Sequence, residues 1–163
     1  METPGELHQY CLIVINSGKG TSPMTVSIIY HTRFGNNAKV SCSISDELEN
    51  RGYGVSIHPI EEAEPTEIPA ADLYIVGSPT QIGTLPVKMS QFLQLLKIPE
   101  GKNFAVFTTY AEPNSKTPEK ITAAMKALKA VPVIEPLILN VKDLKGPLED
   151  EWESRVVEWC KSL

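Results

Sequence analysis

Three short stretches of this chain carry the residue types that could hold a ligand. The first, Thr32-Arg33-Phe34-Gly35-Asn36-Asn37, follows an apolar run and precedes a helical stripe. Small polar residues and a glycine let successive backbone N–H groups point inward as an anion nest. The dipole of the next helix would add to it, so a phosphate dianion suits this loop. The same residues also make an ordinary βα turn. They do not spell G-x-G-x-x-G, so the dinucleotide fingerprint is absent. The second stretch runs Gly77-Ser78-Pro79-Thr80-Gln81-Ile82-Gly83-Thr84-Leu85-Pro86. Ser78 and Thr80 offer hydroxyls, Ile82 and Leu85 offer apolar contact, and Gly83 can turn its peptide without Cβ strain. Taken alone it is also a plain surface loop. The third, Thr108-Thr109-Tyr110-Ala111-Glu112-Pro113-Asn114, presents Tyr110 either to stack on a flat ring or as a half-exposed loop tyrosine. Together, the phosphate nest and the two apolar, hydroxyl-bearing loops describe a phosphorylated, planar cofactor lying across the end of a sheet.

A repeating pattern must position these loops. Val26–Tyr30 reads as a β-branched strand, and Val40, Ile44 and Leu48 form a helix stripe that Gly52 ends. Val55–Ile60 alternates as a second strand. Leu73–Val76 is nearly all apolar, as a strand covered on both faces should be. Met89, Phe92, Leu93 and Leu96 mark a helix, and Phe104–Thr108 a fourth strand. Thr117-Pro118 predicts a helix start with Thr as N-cap, carrying Ile121, Met125 and Leu128. Val131–Val141 reads as a fifth strand whose Pro132 and Pro136 suit a sheet edge. Trp152, Val156, Trp159, Cys160 and Leu163 mark the last helix. Strands alternating with helices predict an α/β fold with a parallel sheet covered on both sides. Ligands in such folds gather outside the C-terminal strand ends, which is where the three loops fall.

The totals narrow the function. The chain has 163 residues, 42% of them hydrophobic, which suits one globular domain. A net charge of -5 argues against nucleic-acid binding. No apolar run is long enough to cross a membrane, and Tyr10–Ile15, six residues with no Lys or Arg before it and no small-residue cleavage pattern after it, does not read as a signal peptide. Cys11, Cys42 and Cys160 lack metal spacing and read as reduced, packed thiols in a cytoplasmic protein. Residues 1–23 read as an extension ending in the linker-like Asn16–Pro23. Met24 then stands directly before the first strand as an alternative start, or Cys11–Ile15 adds a strand or packs on the surface. Residues 24–163 form the domain.

Here the chain resembles the flavodoxin family. Thr32-Arg33-Phe34-Gly35-Asn36-Asn37 is similar to that family's phosphate loop, T/S-x-T-G-N-T. Gly77-Ser78-Pro79-Thr80 with Ile82-Gly83 is similar to its first flavin loop, and Thr108-Thr109-Tyr110 occupies the place of the second. The resemblance implies a three-layer sandwich of short-chain type, with five parallel strands in order 2-1-3-4-5 and one FMN. It implies that Thr32, Gly35, Asn36 and Asn37, with Arg33 and Phe34 in the same loop, hold the phosphate. Ser78, Pro79, Thr80, Gln81, Ile82 and Gly83 would border the flavin ring, with the Gly83–Thr84 peptide near flavin N5. Tyr110, next to Thr109, would stack on its face. Phe34 and Asn37 stand where the family usually has Thr. Neither Gln81 nor Ile82 is aromatic, so the inner ring contact would be aliphatic.

The family's function implies an electron carrier that passes electrons at low potential between a reductase and an acceptor, as a monomer docking transiently. The acidic run Glu61, Glu62, Glu64 and Glu67 follows the second strand and is expected at the cofactor end, either as a docking surface for basic partners or as a solvated loop. Glu149, Asp150, Glu151 and Glu153 read as dipole-stabilising acids opening the last helix. His31, beside the phosphate loop, either helps hold an anion or is incidental. Two rival readings remain: an NAD(P)H-dependent quinone or flavin reductase of the same fold, and a binding module without flavin. A phosphoacceptor regulator is excluded, because Gly77-Ser78 and His31-Thr32 stand where it needs aspartate and acids.

Overall fold

The computed structural model describes residues 24–111 and 115–163, so expectations for residues 1–23 and for Glu112–Asn114 lie outside the described residues. Strands β1 (Thr25–Tyr30), β2 (Gly54–Pro59), β3 (Leu73–Pro79), β4 (Asn103–Tyr110), β5 (Val131–Pro132) and β6 (Leu137–Asn140) form one sheet. Helices α1 (Asn36–Asn50), α2 (Val87–Leu95), α3 (Thr117–Ala127) and α4 (Trp152–Cys160) connect or follow them. All strand pairs are parallel, in the order β2-β1-β3-β4, with β5 and β6 both on the outer side of β4.

Consecutive strand residues feed opposite layers, as the period-two geometry requires. Ile28 and Ile75 enter a core with Val40, Ile44 and Leu48 of α1 and Val156 and Trp159 of α4. Ile29 and Val76 enter a second core with Met89 and Phe92 of α2 and Ile121 and Met125 of α3. The result is the expected helix–sheet–helix sandwich.

The fifth strand is broken. Residues 131–132 pair with Asn103 and Phe104, and residues 137–140 pair with Phe107 to Tyr110. Pro132 and Pro136 have no N–H to give a ladder, and an edge position is where that loss is tolerated. At the end of α1, Gly52 has φ of 91°. It closes the helix through Gly52 N–H to Glu49 O at 2.9 Å and Tyr53 N–H to Leu48 O at 3.0 Å. Helix α3 starts one residue earlier than expected. Lys116 takes the N-cap position, Thr117 is buried, and Ser115 Oγ accepts the Thr117 N–H at 3.0 Å.

Cys160 is a free, buried thiol that burial pushes up to about 12. Cys42 is disulfide-bonded, which departs from the expectation of reduced thiols throughout.

The acidic run also departs from expectation. Glu61 and Glu62 stay at the C-terminal end of the sheet as expected, with Glu62 N–H donating to Pro59 O at 3.0 Å, but the chain then returns toward the strand starts. Lys97 N–H, beyond the end of α2, donates to Pro65 O at 3.0 Å, and Ser27 Oγ donates to Pro69 O at 3.3 Å. Glu64 and Glu67 therefore leave the end of the sheet where the three loops gather. The physical reason is the connection itself, which must carry the chain back to begin β3 parallel to β1.

Candidate functional site

The site is built from strand tips. At the end of β1 the chain turns through Thr32 to Gly35, and Gly35 has φ of 92° as the N-cap of α1. Only glycine takes that conformation without a Cβ penalty. Its own N–H donates to Thr32 Oγ1 at 3.0 Å, which folds the loop back on itself. The first N–H groups of α1 have no acceptor within the helix, so they face the loop's concave side as donors. Asn37 sits there almost fully buried. Its Nδ2 donates to Thr109 Oγ1 at 2.9 Å, tying α1 to β4, while its Oδ1 is buried with no partner.

At the end of β3 the chain makes a small hairpin. Gln81 and Thr84 exchange both backbone bonds, Gln81 N–H to Thr84 O at 2.8 Å and Thr84 N–H to Gln81 O at 3.0 Å. Ile82 at φ of 50° and Gly83 at 72° form its tip. That pair of positive angles is the tight hairpin turn that favours Asn-Gly, so isoleucine stands where its branched Cβ is strained. The hairpin is anchored to the next loop. Lys116 N–H donates to Gly83 O at 3.1 Å, and Thr80 N–H donates to Thr109 O at 2.9 Å. The Thr80 hydroxyl lies 2.7 Å from Ser115 Oγ and donates to Thr117 Oγ1 at 3.0 Å.

These loops surround one open crevice of about 200 Å³. Thr32, Arg33, Phe34, Asn36 and Asn37 line one wall, Pro79, Thr80, Gln81 and Ile82 another, and Thr109 and Tyr110 a third. Three of the residues singled out in the sequence do not line it. Gly35 contributes through the backbone, Ser78 is fully buried with its hydroxyl donating to Pro79 O, and Gly83 is at the hairpin tip. Leu85 also turns away, into the core with Met89 and Phe92. Ile82, expected to offer apolar contact, keeps its side chain wholly exposed at the rim (103%).

Ala111 of the third stretch also lines the crevice, and Val141 and Leu144 do so without having been foreseen. Val141 and Leu144 come from the loop after β6, whose irregular sequence carries no ligand signature. The side chain of Arg33 lies 5.0 Å from the centre of the Phe34 ring, and Lys145 lies 5.9 Å from it. His31 does not enter the crevice. It is buried, and its Nδ1 lies 2.6 Å from Glu61 Oε1. Burial pushes the Glu61 carboxyl up, but the His31 hydrogen bond and its own backbone N–H outweigh that and hold it below its ordinary value.

The residues present fit a phosphorylated flavin. Gly35 opens a helix N-terminus that suits the phosphate, and Pro79, Ile82 and Tyr110 line the crevice beside it as a flat ring would need. No group of acidic, His or Cys side chains suited to a metal occurs among the described residues.

The model of the flavodoxin family matches residues 28–153. The chain belongs to the flavodoxin family. FMN is the cofactor of that family and of this member. The fold agrees with solved structures. A short-chain flavodoxin associated with a bacterial microcompartment superposes with a TM-score of 0.70 at 20% identity, over 86% of this chain and 96% of that one. Flavodoxin 2 from Bacillus cereus gives 0.73 at 22% identity, over 85% and 96%. Rubredoxin oxygen:oxidoreductase from Desulfovibrio gigas gives 0.73 at 16% identity, over 86% of this chain but 35% of that protein. A Synechocystis protein described as a diflavin flavoprotein is 35% identical over 77 residues, which is 45% of this chain and 13% of that protein. This flavodoxin-family chain thus spans a small part of that curated relative. Among its described residues, no helix is long and apolar enough to cross a membrane.

Proposed function

We propose that the protein is an electron carrier that holds FMN in the crevice at the tips of β1, β3 and β4 and exchanges electrons with a reductase and an acceptor at low potential. The observation that carries this reading is the open crevice at the three strand tips with the N-terminus of α1 at one end. When bound, the flavin supplies the redox chemistry, and the protein sets its access and electronics. The Gly35 turn and the start of α1 would take the phosphate. Asn37 and Thr109, already bonded to each other, would present a fixed polar wall. Tyr110, part-buried at the end of β4, would cover one ring face, and Pro79 with the Gln81–Thr84 hairpin would border the other. The shallow crevice leaves a ring edge toward solvent, which suits transfer across a brief protein–protein contact.

The test is the visible spectrum of purified protein, identification of the released cofactor and an FMN titration of the flavin-free chain. A yellow protein releasing FMN, with no steady-state NADPH oxidation toward a quinone by itself, supports the carrier. Turnover of NADPH and quinone by the protein alone would replace it with the reductase. A colourless protein that takes up no FMN would end both.

A further inference from the structure

The segment after β6, which adds a wall to the crevice, is a folded unit of its own. Val141 and Leu148 face each other in an antiparallel bridge. Lys142 N–H donates to Pro147 O at 2.8 Å, Gly146 N–H to Asp143 O at 3.1 Å, and Leu144 N–H to Asp143 Oδ1 at 2.7 Å. Val141 and Leu148 are both buried in the core that the sheet shares with α1 and α4. Residues 141–148 are therefore a self-bonded hairpin seated on the core, and its tip is held in place.

The tip is fastened to the first stretch at three points. Asn36 Nδ2, on the first residue of α1, donates to Lys145 O at 3.4 Å. Gly146 packs so closely on the same side chain that a Cβ there would lie 3.1 Å from Asn36 Oδ1. Lys145 Nζ lies 5.9 Å from the centre of the Phe34 ring, within the range of a cation–π contact. The base of the hairpin is fastened to the third stretch. Val141 N–H donates to Tyr110 O at 2.8 Å, and Asn140 Nδ2 donates to the same oxygen at 3.4 Å. The hairpin thus joins the residue that opens α1 to the tyrosine at the end of β4. Between those anchors Leu144 lines the crevice and is 63% exposed.

Backbone N–H donors at a helix N-terminus hold an anion more strongly where water is kept away, because charge interactions grow as the local dielectric falls. At that end of the crevice the first stretch presents Thr32, Asn36 and Asn37, with Phe34 as its one large apolar side chain. The hairpin adds a second, Leu144. We infer that the hairpin after β6 is a fourth cofactor-binding element, in which Leu144 covers the phosphate held at the start of α1 and shields it from water. The inference rests on the reading that the crevice holds FMN. Its effect must follow the phosphate, since riboflavin carries the same ring and ribityl chain without that charge.

The test compares FMN with riboflavin on the full chain. Leu144 is largely exposed, so its replacement leaves the core intact. Leu144→Ala should raise the FMN dissociation constant about fivefold and speed FMN release to match. The riboflavin constant should change less than about twofold, because no charge is being shielded. Leu144→Met keeps the apolar cover and should restore FMN binding. The control Leu95→Ala removes a leucine that is 61% exposed at the end of α2, and both constants should stay unchanged. Equal weakening of FMN and riboflavin, or a Leu144→Ala protein that matches the control, would overturn the inference. A second readout needs no flavin. Inorganic phosphate added to the flavin-free chain should shift the amide resonances of residues 35–37 together with those of 144–146. In Asn36→Ala, which cuts the link to Lys145 O, the second group should no longer respond. Shifts at residues 35–37 alone in the unaltered chain would also overturn the inference. A chain that takes up neither FMN nor riboflavin would instead sink the carrier reading, and the phosphate mapping would still report on the hairpin.

Discussion

Asn37 shows how much one residue can do at this site. Its amide bridges α1 and β4 through Thr109, and its carbonyl oxygen faces no partner. Asn37→Ala should weaken FMN binding about tenfold, near 1.4 kcal/mol, because it removes one ligand contact and frees Thr109 Oγ1 from its donor. A fluorescence titration of FMN into apo-protein checks this, and unchanged affinity would show that Asn37 is only a strut. Glu61 offers a pH test. Its carboxyl is held below its ordinary value by His31 in the folded protein and has no such partner unfolded. Its contribution is therefore present above the unfolded pKa of about 4.3 and is lost as pH falls through the lower folded value. Glu61→Gln should flatten the acid limb of stability between roughly pH 5 and 3, read by urea midpoints at each pH. The pair was invisible in the sequence. His31 and Glu61 belong to different strand ends, and only the pairing of β1 with β2 brings them together.

At the scale of the element, the strand β3 depends on a contact that no pattern announced. Gly77 pairs in register with Phe107 of β4, and a Cβ built on Gly77 would fall 1.9 Å from the Phe107 ring. The phenyl ring occupies the space a side chain would take, directly beneath the loop that borders the crevice. Gly77→Ala should cost about 1–3 kcal/mol or more, because ring and backbone must both give way. Phe107→Ala in the Gly77→Ala background should cost less than in the wild type, since the new methyl partly fills the vacated space. Urea denaturation of the four proteins measures the coupling, and additive effects would refute the contact. The helices were easier to foresee. Val40, Ile44 and Leu48 are all fully buried, as the four-residue spacing demands. The fifth strand was read as continuous because alternation counts side chains, whereas its break comes from two prolines that cannot donate.

At the scale of the whole molecule, cofactor and fold are linked. A ligand that binds only the folded state stabilises it by RT ln(1 + [L]/Kd). FMN at a hundredfold over its Kd should raise unfolding stability by about 2.7 kcal/mol, seen as a concentration-dependent melting temperature. Riboflavin, which lacks the phosphate, should give a much smaller shift if the Gly35 turn and the start of α1 take the dianion. Equal shifts would remove the phosphate nest from the site.

The sequence by itself determined the order of strands and helices, the two-sided burial of the sheet and the location of the three loops. Those features are written in local periodicity and in turn residues, which act through neighbours along the chain. Tertiary structure alone decided the direction of each loop side chain. It turned Leu85 into the core, left Ile82 in water, gave His31 to Glu61 and led Glu64 and Glu67 away from the crevice. The reason is that direction depends on which strands lie side by side and where each connection must return, and neither is encoded in spacing along a single segment.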